Sequence, residues 1–92
     1  MNDLSVSNLT RFKVRGAVFE AIADALAVSP DSLSEELRIA EDLNADSMDV
    51  LAILILLDHS LSLEIDVDDI PASNATIRWV IDELVTRLDQ GT

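Results

Sequence analysis

Apolar residues recur every three or four positions in separate segments of the chain, and no segment shows a strong alternation of polar and apolar residues. The first such segment holds Val14, Val18, Ile22 and Leu26, which form one stripe on a helix over about residues 9–27. Only two glycines and two prolines interrupt the 92 residues. This spacing predicts an all-α fold.

Capping residues and proline predict where the helices begin and end. Asn8 and Thr10 are capping types at the start of the first helix, which should end near Val28 because Ser29 precedes Pro30. A second helix is expected over residues 47–61. A third is expected over residues 76–88, where Thr76 is the capping residue and Ile77, Val80, Ile81, Leu84 and Leu88 form the apolar stripe.

The segments between these helices are polar and complete the predicted fold. Residues 29–45 form a long connection with apolar pins at Leu33, Leu37, Ile39 and Leu43. One short helical turn is expected near residues 67–73, before the last helix. The prediction is a small four-helix bundle, with three main helices and one short one, and a long loop between the first two. It forms a single domain over residues 1–92, with a frayed N-terminus over 1–9 and a tail over 89–92.

The charge and composition exclude several classes of function. A net charge of −12, from 18 acidic and 6 basic residues, argues against nucleic-acid binding and favours partners with Lys and Arg patches. The chain has no cysteine for a disulfide or a thiolate metal site, which fits a cytoplasmic location. No apolar core of a signal peptide is visible at the N-terminus. The longest apolar run, Val50–Leu57, is too short for membrane insertion.

Ser47 stands where a polar segment gives way to that apolar run. A serine nucleophile needs a general base, and the only histidine, His59, lies about 18 Å along the same predicted helix. This distance and the lack of a GxSxG motif argue against a serine hydrolase. Ser47 at a helix N-terminus fits either an ordinary capping signal or a site for an anionic group such as a phosphate ester.

The wider segment EDLNADSMD resembles the phosphopantetheine attachment motif of acyl carrier proteins. The residues that match as they stand are Glu41, Asp42, Leu43, Ala45, Asp46, Ser47 and Asp49. The long loop before the motif and the acidic segment SLEIDVDDI after the second helix also agree with that family. The resemblance covers roughly residues 12–88.

The resemblance implies a carrier and not an enzyme. Its cofactor would be 4′-phosphopantetheine, attached covalently to Ser47. A phosphopantetheinyl transferase with coenzyme A and Mg²⁺ would attach it, and Asp46 would position the metal during loading. The chain itself is expected to hold no metal. The thiol would carry acyl groups as thioesters between enzymes of fatty-acid, polyketide or specialised lipid synthesis. The carrier is expected to be a monomer, and its helix bundle is expected to shelter the acyl chain.

Two positions of the motif depart from the family pattern, and both departures are expected to be tolerated. Asn44 stands where glycine is common, and asparagine is among the few residues that tolerate a positive φ. Met48 replaces leucine with a side chain of similar size.

The second helix departs more, because VLAILILL carries none of the glutamates that many members present to basic partner surfaces. The residues predicted to contact partners are Met48, Asp49, Ala52, Ile55, Leu56 and His59. Two interpretations stay open for this largely apolar face. It is either buried under another part of the chain, or exposed as a docking surface for a hydrophobic partner or a second copy.

Two rival functions remain at this level. One is an aminoacyl or peptidyl carrier, although alanine and aspartate before the serine favour acyl cargo. The other is an unmodified helical interaction module, in which replacement of Ser47 by alanine would cost at most a helix cap.

Overall fold

The computed structural model of the chain describes residues 2–62, 65 and 75–90, with side chains from residue 9 to residue 88 of that set. Three α-helices are present: α1 (Asn2–Leu26), α2 (Ser47–Leu61) and α3 (Ile77–Gln90). A short 3-10 helix, Pro30–Ser32, lies between α1 and α2. The described residues hold no strand beyond a single bridge, so the prediction of an all-α fold is confirmed. The short helix predicted over residues 67–73 lies outside the described residues.

Helix α1 begins earlier than the sequence predicted. Its first residue is Asn2 rather than a residue near position 9, so the prediction that Asn8 or Thr10 caps it is wrong. No glycine or proline occurs before Gly16, and a helix that has formed its first turn propagates through polar residues at little cost. The limits of α2 are those predicted, and α3 runs two residues further than expected.

The end of α1 is shaped by a residue in the left-handed region. Ala27 has a φ of 57°, and the Val28 N–H donates to the Ala23 carbonyl at 3.0 Å. This is the hydrogen bond of a Schellman cap, in which the left-handed position is usually a glycine. The chain therefore ends α1 before Pro30, as predicted, but with an alanine in a conformation that disfavours a Cβ atom.

Replacing Ala27 with glycine is expected to stabilise the fold by roughly 0.5 to 1 kcal/mol. The gain from removing the left-handed penalty exceeds the added freedom of the unfolded chain. Urea denaturation followed by circular dichroism measures it. The matched control is Ala25→Gly, inside the last turn of α1, which should lower the free energy of unfolding by about 1 kcal/mol. Equal effects of both changes would contradict the assignment of strain to Ala27.

The core lies where α1 packs against both α2 and α3. The predicted stripe of α1 is confirmed, because Val14, Val18 and Ile22 are fully buried. The other helices contribute residues that are almost inaccessible to water, namely Leu57, Ile77, Val80, Ile81 and Leu84. The predicted pins of the first connection also hold: Leu33 and Ile39 are buried, and Leu37 and Leu43 pack partly against the core.

Glu35 ties this connection to two helices. Its carboxylate accepts hydrogen bonds from Arg15 Nε at 2.7 Å, Arg11 Nη2 at 3.1 Å and Arg78 Nε at 3.2 Å. Burial raises the pKa of Glu35, but the hydrogen bonds from Arg15, Arg78 and Arg11 outweigh it and leave the pKa below its ordinary value. Arg11 and Arg15 thus join α1 to the connection through an acid that the sequence did not single out.

A short antiparallel contact also links the connection to the start of α3. Arg38 and Thr76 form an isolated bridge, and the Ile39 N–H donates to the Ala75 carbonyl at 3.0 Å. Thr76 Oγ1 accepts the Trp79 N–H at 3.0 Å, which confirms Thr76 as the capping residue of α3. None of the described helices is long and apolar enough to cross a membrane.

Candidate functional site

Ser47 is the first residue of α2, and its side chain is exposed. The N-cap is the preceding residue, Asp46, whose Oδ1 accepts the Asp49 N–H at 2.9 Å. In return Asp49 Oδ2 accepts the Asp46 N–H at 3.1 Å, which completes a capping box. The two aspartates therefore hold the first turn together from both sides of Ser47. They leave its hydroxyl free of any capping role.

The turn before Ser47 depends on the residue that departs from the family motif. Asn44 has a φ of 61°, in the left-handed region, so the prediction that asparagine serves in place of glycine is confirmed. The next residue, Ala45, is buried and its N–H donates to the Ile39 carbonyl at 3.2 Å. Within the motif, the side chain of Ala45 therefore packs into the core, whereas that of Ser47 is exposed to solvent.

Among the residues that the structure describes, no histidine lies close enough to Ser47 to act as a general base. Ser47 is in the first turn of α2, whereas His59 is in the last turn and is exposed. None of the hydrogen bonds between described residues joins Ser47 to a histidine or a carboxylate. Within the described ranges no group of three or more His, Asp or Glu side chains is placed to hold a metal ion.

Beside Ser47, the outer face of α2 carries exposed apolar side chains. Met48 is 69%, Ile55 60% and Leu51 42% exposed, and we call these three residues the apolar strip. His59 is exposed as well, whereas Ala52 and Leu56 are half-buried and Leu56 packs against the core. Sequence reasoning missed Leu51, although its position four residues before Ile55 and three after Met48 places it on the same face.

Relatives with known names resemble the chain over most of its length. It is 35% identical over 77 residues to an acyl carrier protein of Campylobacter fetus subsp. fetus, covering 79% of this chain and 94% of that relative. An acyl carrier protein of Sulfurovum sp. is 38% identical over 60 residues, which cover 65% of this chain and 79% of the relative.

The chain belongs to the acyl carrier protein family. A third relative in that family, from Chlorobium luteolum, is 25% identical over 79 residues and is covered completely. No protein-family model matches the chain. Acyl carrier proteins are carriers rather than catalysts, so these relatives confirm the prediction that the chain is not an enzyme.

A small apolar cavity lies where α2 and the start of α3 meet α1. Ile53 and Leu54 line it from α2, while Ile39, Ala75 and Val80 close it from the other side. Its volume is about 10 Å³, which is roughly the space that one water-sized probe occupies. The side chains that line this cavity therefore nearly fill it.

A charged pair holds the loop that leads to Ser47 of the carrier. Asp42 accepts the Arg38 backbone N–H at 2.8 Å and two guanidinium hydrogen bonds at 3.2 Å each. These bonds from the Arg38 side chain and backbone lower the pKa of Asp42 below its ordinary value. The motif matched Asp42 to the family, but only the structure connects it to Arg38. An Arg–Asp pair four residues apart was the signal that sequence reasoning did not use.

Proposed function

We propose that the chain carries acyl groups on a 4′-phosphopantetheine arm attached to Ser47. The observation that supports this most is the exposed Ser47 hydroxyl at the start of α2, framed by the capping box of Asp46 and Asp49. When bound, the arm supplies a thiol that holds an acyl group as a thioester. The remaining chemistry belongs to partner enzymes: the transferase reacts with the serine, and the other enzymes act on the thioester at the end of the arm.

The residues at the site fit an attached phosphate ester. The first turn of a helix leaves backbone N–H groups that favour negative charge, and the open surface at Ser47 leaves room for the arm. In the attachment step, the Ser47 oxygen bonds to the phosphorus that joins pantetheine to the rest of coenzyme A. Adenosine bisphosphate leaves, and the hydroxyl proton passes to the transferase. Asp46 helps to position the Mg²⁺ that the transferase brings. The charge of this ion offsets the repulsion between the phosphate and the carboxylates of Asp46 and Asp49.

The experiment that tests this function is the intact mass of the unmodified protein after incubation with a broad-specificity phosphopantetheinyl transferase, coenzyme A and Mg²⁺. A gain of one phosphopantetheine group, located on the peptide that contains Ser47, is the expected result. A folded protein that gains nothing from several transferases would favour the unmodified interaction module instead.

The apolar cavity beside α2 supports a cargo of acyl groups. Its walls are apolar, so a hydrocarbon chain loses no hydrogen bonds there, whereas a polar aminoacyl group would. Because the cavity is nearly filled, an acyl chain enters only if Ile53, Leu54 and Val80 move apart. This supports acyl cargo of fatty-acid, polyketide or specialised lipid synthesis over aminoacyl or peptidyl cargo. A cytoplasmic location and a monomeric state stay predictions.

The apolar strip is the proposed docking surface for partner enzymes. Met48 is next to Ser47, and Leu51 and Ile55 lie about one and two turns further along α2. The acidic residues Asp46, Asp49 and Asp58 add negative charge near the strip. A partner that matches this face presents a hydrophobic groove with basic residues at its rim. Self-association is less suitable, since two copies with a net charge of −12 repel each other.

Replacing Ile55 with serine is expected to raise the KM of the transferase about ten-fold, because a central apolar anchor typically contributes more than 1 kcal/mol to binding. The free energy of unfolding should change little, since the side chain is exposed. Initial rates of loading at varied carrier concentration measure the effect. The matched control is Phe12→Ser, which removes a 73% exposed apolar side chain from α1. A KM that rises equally in both variants would contradict docking on the apolar strip.

A further inference from the structure

Arg38 closes the loop immediately before α2 with hydrogen bonds from both its backbone and its side chain. The Arg38 carbonyl accepts the N–H groups of Asp42 at 2.9 Å and Leu43 at 3.1 Å. The backbone N–H and the guanidinium of Arg38 both donate hydrogen bonds to the Asp42 carboxylate. Arg38 Nη1 also forms an ion pair with Glu41. We call Arg38 and Asp42 the loop clamp. The two residues thus fix the ends of the same turn through main chain and side chain together.

Ile39 follows Arg38 of the loop clamp directly, and its backbone bonds lead toward both Ser47 and α3. On one side, the Ile39 carbonyl accepts the Ala45 N–H at 3.2 Å, and Ala45 leads directly into the capping box around Ser47. On the other side, the Ile39 N–H donates to the Ala75 carbonyl just before α3. Ile39, the residue after Arg38, therefore joins the start of α3 to Ala45 by backbone hydrogen bonds, so the position of Arg38 bears on both.

We propose that Arg38 and Asp42 are positioning residues for the modification of Ser47. They do not touch the serine in the structure, but they set the loop that fixes where its hydroxyl lies. This inference rests on the proposed function, because it concerns the loading of that same site. On this inference Asp42 acts by holding the loop of its own chain, since both of its carboxylate oxygens accept hydrogen bonds from Arg38.

The alternative role for Asp42 is direct contact with a basic transferase surface, and the two roles predict different outcomes. If Asp42 acts through the clamp, Arg38→Ala, Asp42→Asn and the double variant all lower kcat by a similar factor. The loss follows from misplacement of a reacting hydroxyl. If Asp42 contacts the transferase, Asp42→Asn should raise the KM. Arg38→Ala should then leave the KM unchanged, because it frees the Asp42 carboxylate for that contact.

The loop clamp contributes little to global stability, so a loss of folding does not obscure the test. Arg38 and Asp42 are 47% and 32% exposed, and surface ion pairs are typically weak. The variants should therefore unfold close to the wild-type temperature, and a rate measured well below that temperature reports on the loop.

The first measurement is amide hydrogen exchange by NMR on the unmodified protein. The N–H groups of Asp42, Leu43 and Ala45 should exchange at least ten-fold faster in Arg38→Ala than in the wild type, while those of the α1 core do not change. This readout needs no transferase. Unchanged exchange at these three positions would overturn the inference by itself, because the clamp would then hold nothing.

The second measurement is the kinetics of loading, with kcat and KM determined separately by intact mass. We expect kcat to fall about ten-fold in Arg38→Ala, Asp42→Asn and the double variant, with KM within about two-fold of wild type. Arg38→Lys should recover part of the rate, since lysine keeps the charge but not the two-pronged geometry. The controls are Lys13→Ala and Glu20→Gln, exposed residues outside the described ion pairs that change the net charge by the same amounts.

The outcomes separate this inference from the function on which it rests. A wild-type protein that is never loaded refutes both. A wild type that is loaded normally, with all clamp variants at the same kcat, refutes only the positioning role. Additive losses in the double variant, or a change confined to KM, would assign Asp42 to direct contact with the transferase instead.

Discussion

Replacement of Ser47 by alanine is expected to abolish phosphopantetheine attachment while leaving the free energy of unfolding within about 0.5 kcal/mol of wild type. The sequence alone allowed a loss of a helix cap, because Ser47 and Asp46 are both capping types. The structure assigns the cap to Asp46, whose carboxylate binds the Asp49 N–H, so the alanine variant keeps the complete capping box. Alanine is also a better helix former than serine.

Intact mass after incubation with the transferase measures the first part of this prediction, and urea denaturation measures the second. Ser60→Ala is the matched control, since Ser60 is an exposed serine on the same helix. It should be loaded at the wild-type rate. Attachment to Ser47→Ala would show that another hydroxyl is the site. A large loss of stability in that variant would contradict the assignment of the cap to Asp46.

The region around Ser47 could be predicted because its determinants are local. Helix α2 begins at the residue expected from the capping types and ends where its apolar spacing stops. Asn44 adopts the positive φ that its side chain tolerates. Each of these features is set within four residues of chain, where capping and turn preferences are strong.

Features that depend on distant contacts were not predictable in the same way. Glu35 meets Arg15 across 20 residues, Arg11 across 24 and Arg78 across 43, and no periodicity in the sequence marks such a meeting. The exposure of Leu51 and Ile55 also required the structure, because an apolar run of eight residues is compatible with burial on every side of the helix. The early start of α1 was missed for a third reason, since its first turns are polar and carry no apolar stripe.

The second large effect is expected for Glu35→Gln, which should lower the free energy of unfolding at pH 7 by about 2 kcal/mol. The carboxylate is only 16% exposed and accepts charge-assisted hydrogen bonds from three arginines. Such bonds to a charged group typically contribute 1.5 to 3 kcal/mol, about twice the value for neutral partners. A neutral amide accepts fewer of them and leaves the three guanidinium groups repelling each other.

The effect of Glu35→Gln should depend on pH with a definite sign. Since the pKa of folded Glu35 lies below its ordinary value of 4.5, its contribution is fully present above that value and is lost as the pH falls through the folded pKa. The difference in unfolding free energy between wild type and variant should therefore be constant from pH 6 to 7. It should shrink steadily below about pH 4.5.

Urea denaturation at several pH values, followed by circular dichroism, measures both the size and the pH dependence. Glu36→Gln is the matched control, because Glu36 is the neighbouring acid, pairs only with Arg78 among the described ion pairs and is 69% exposed. It should change stability by less than about 0.5 kcal/mol at every pH. If both variants lose the same stability, the three arginines do not act through Glu35. In that case the first connection is held by its buried side chains Leu33 and Ile39 and by the backbone bonds to the start of α3.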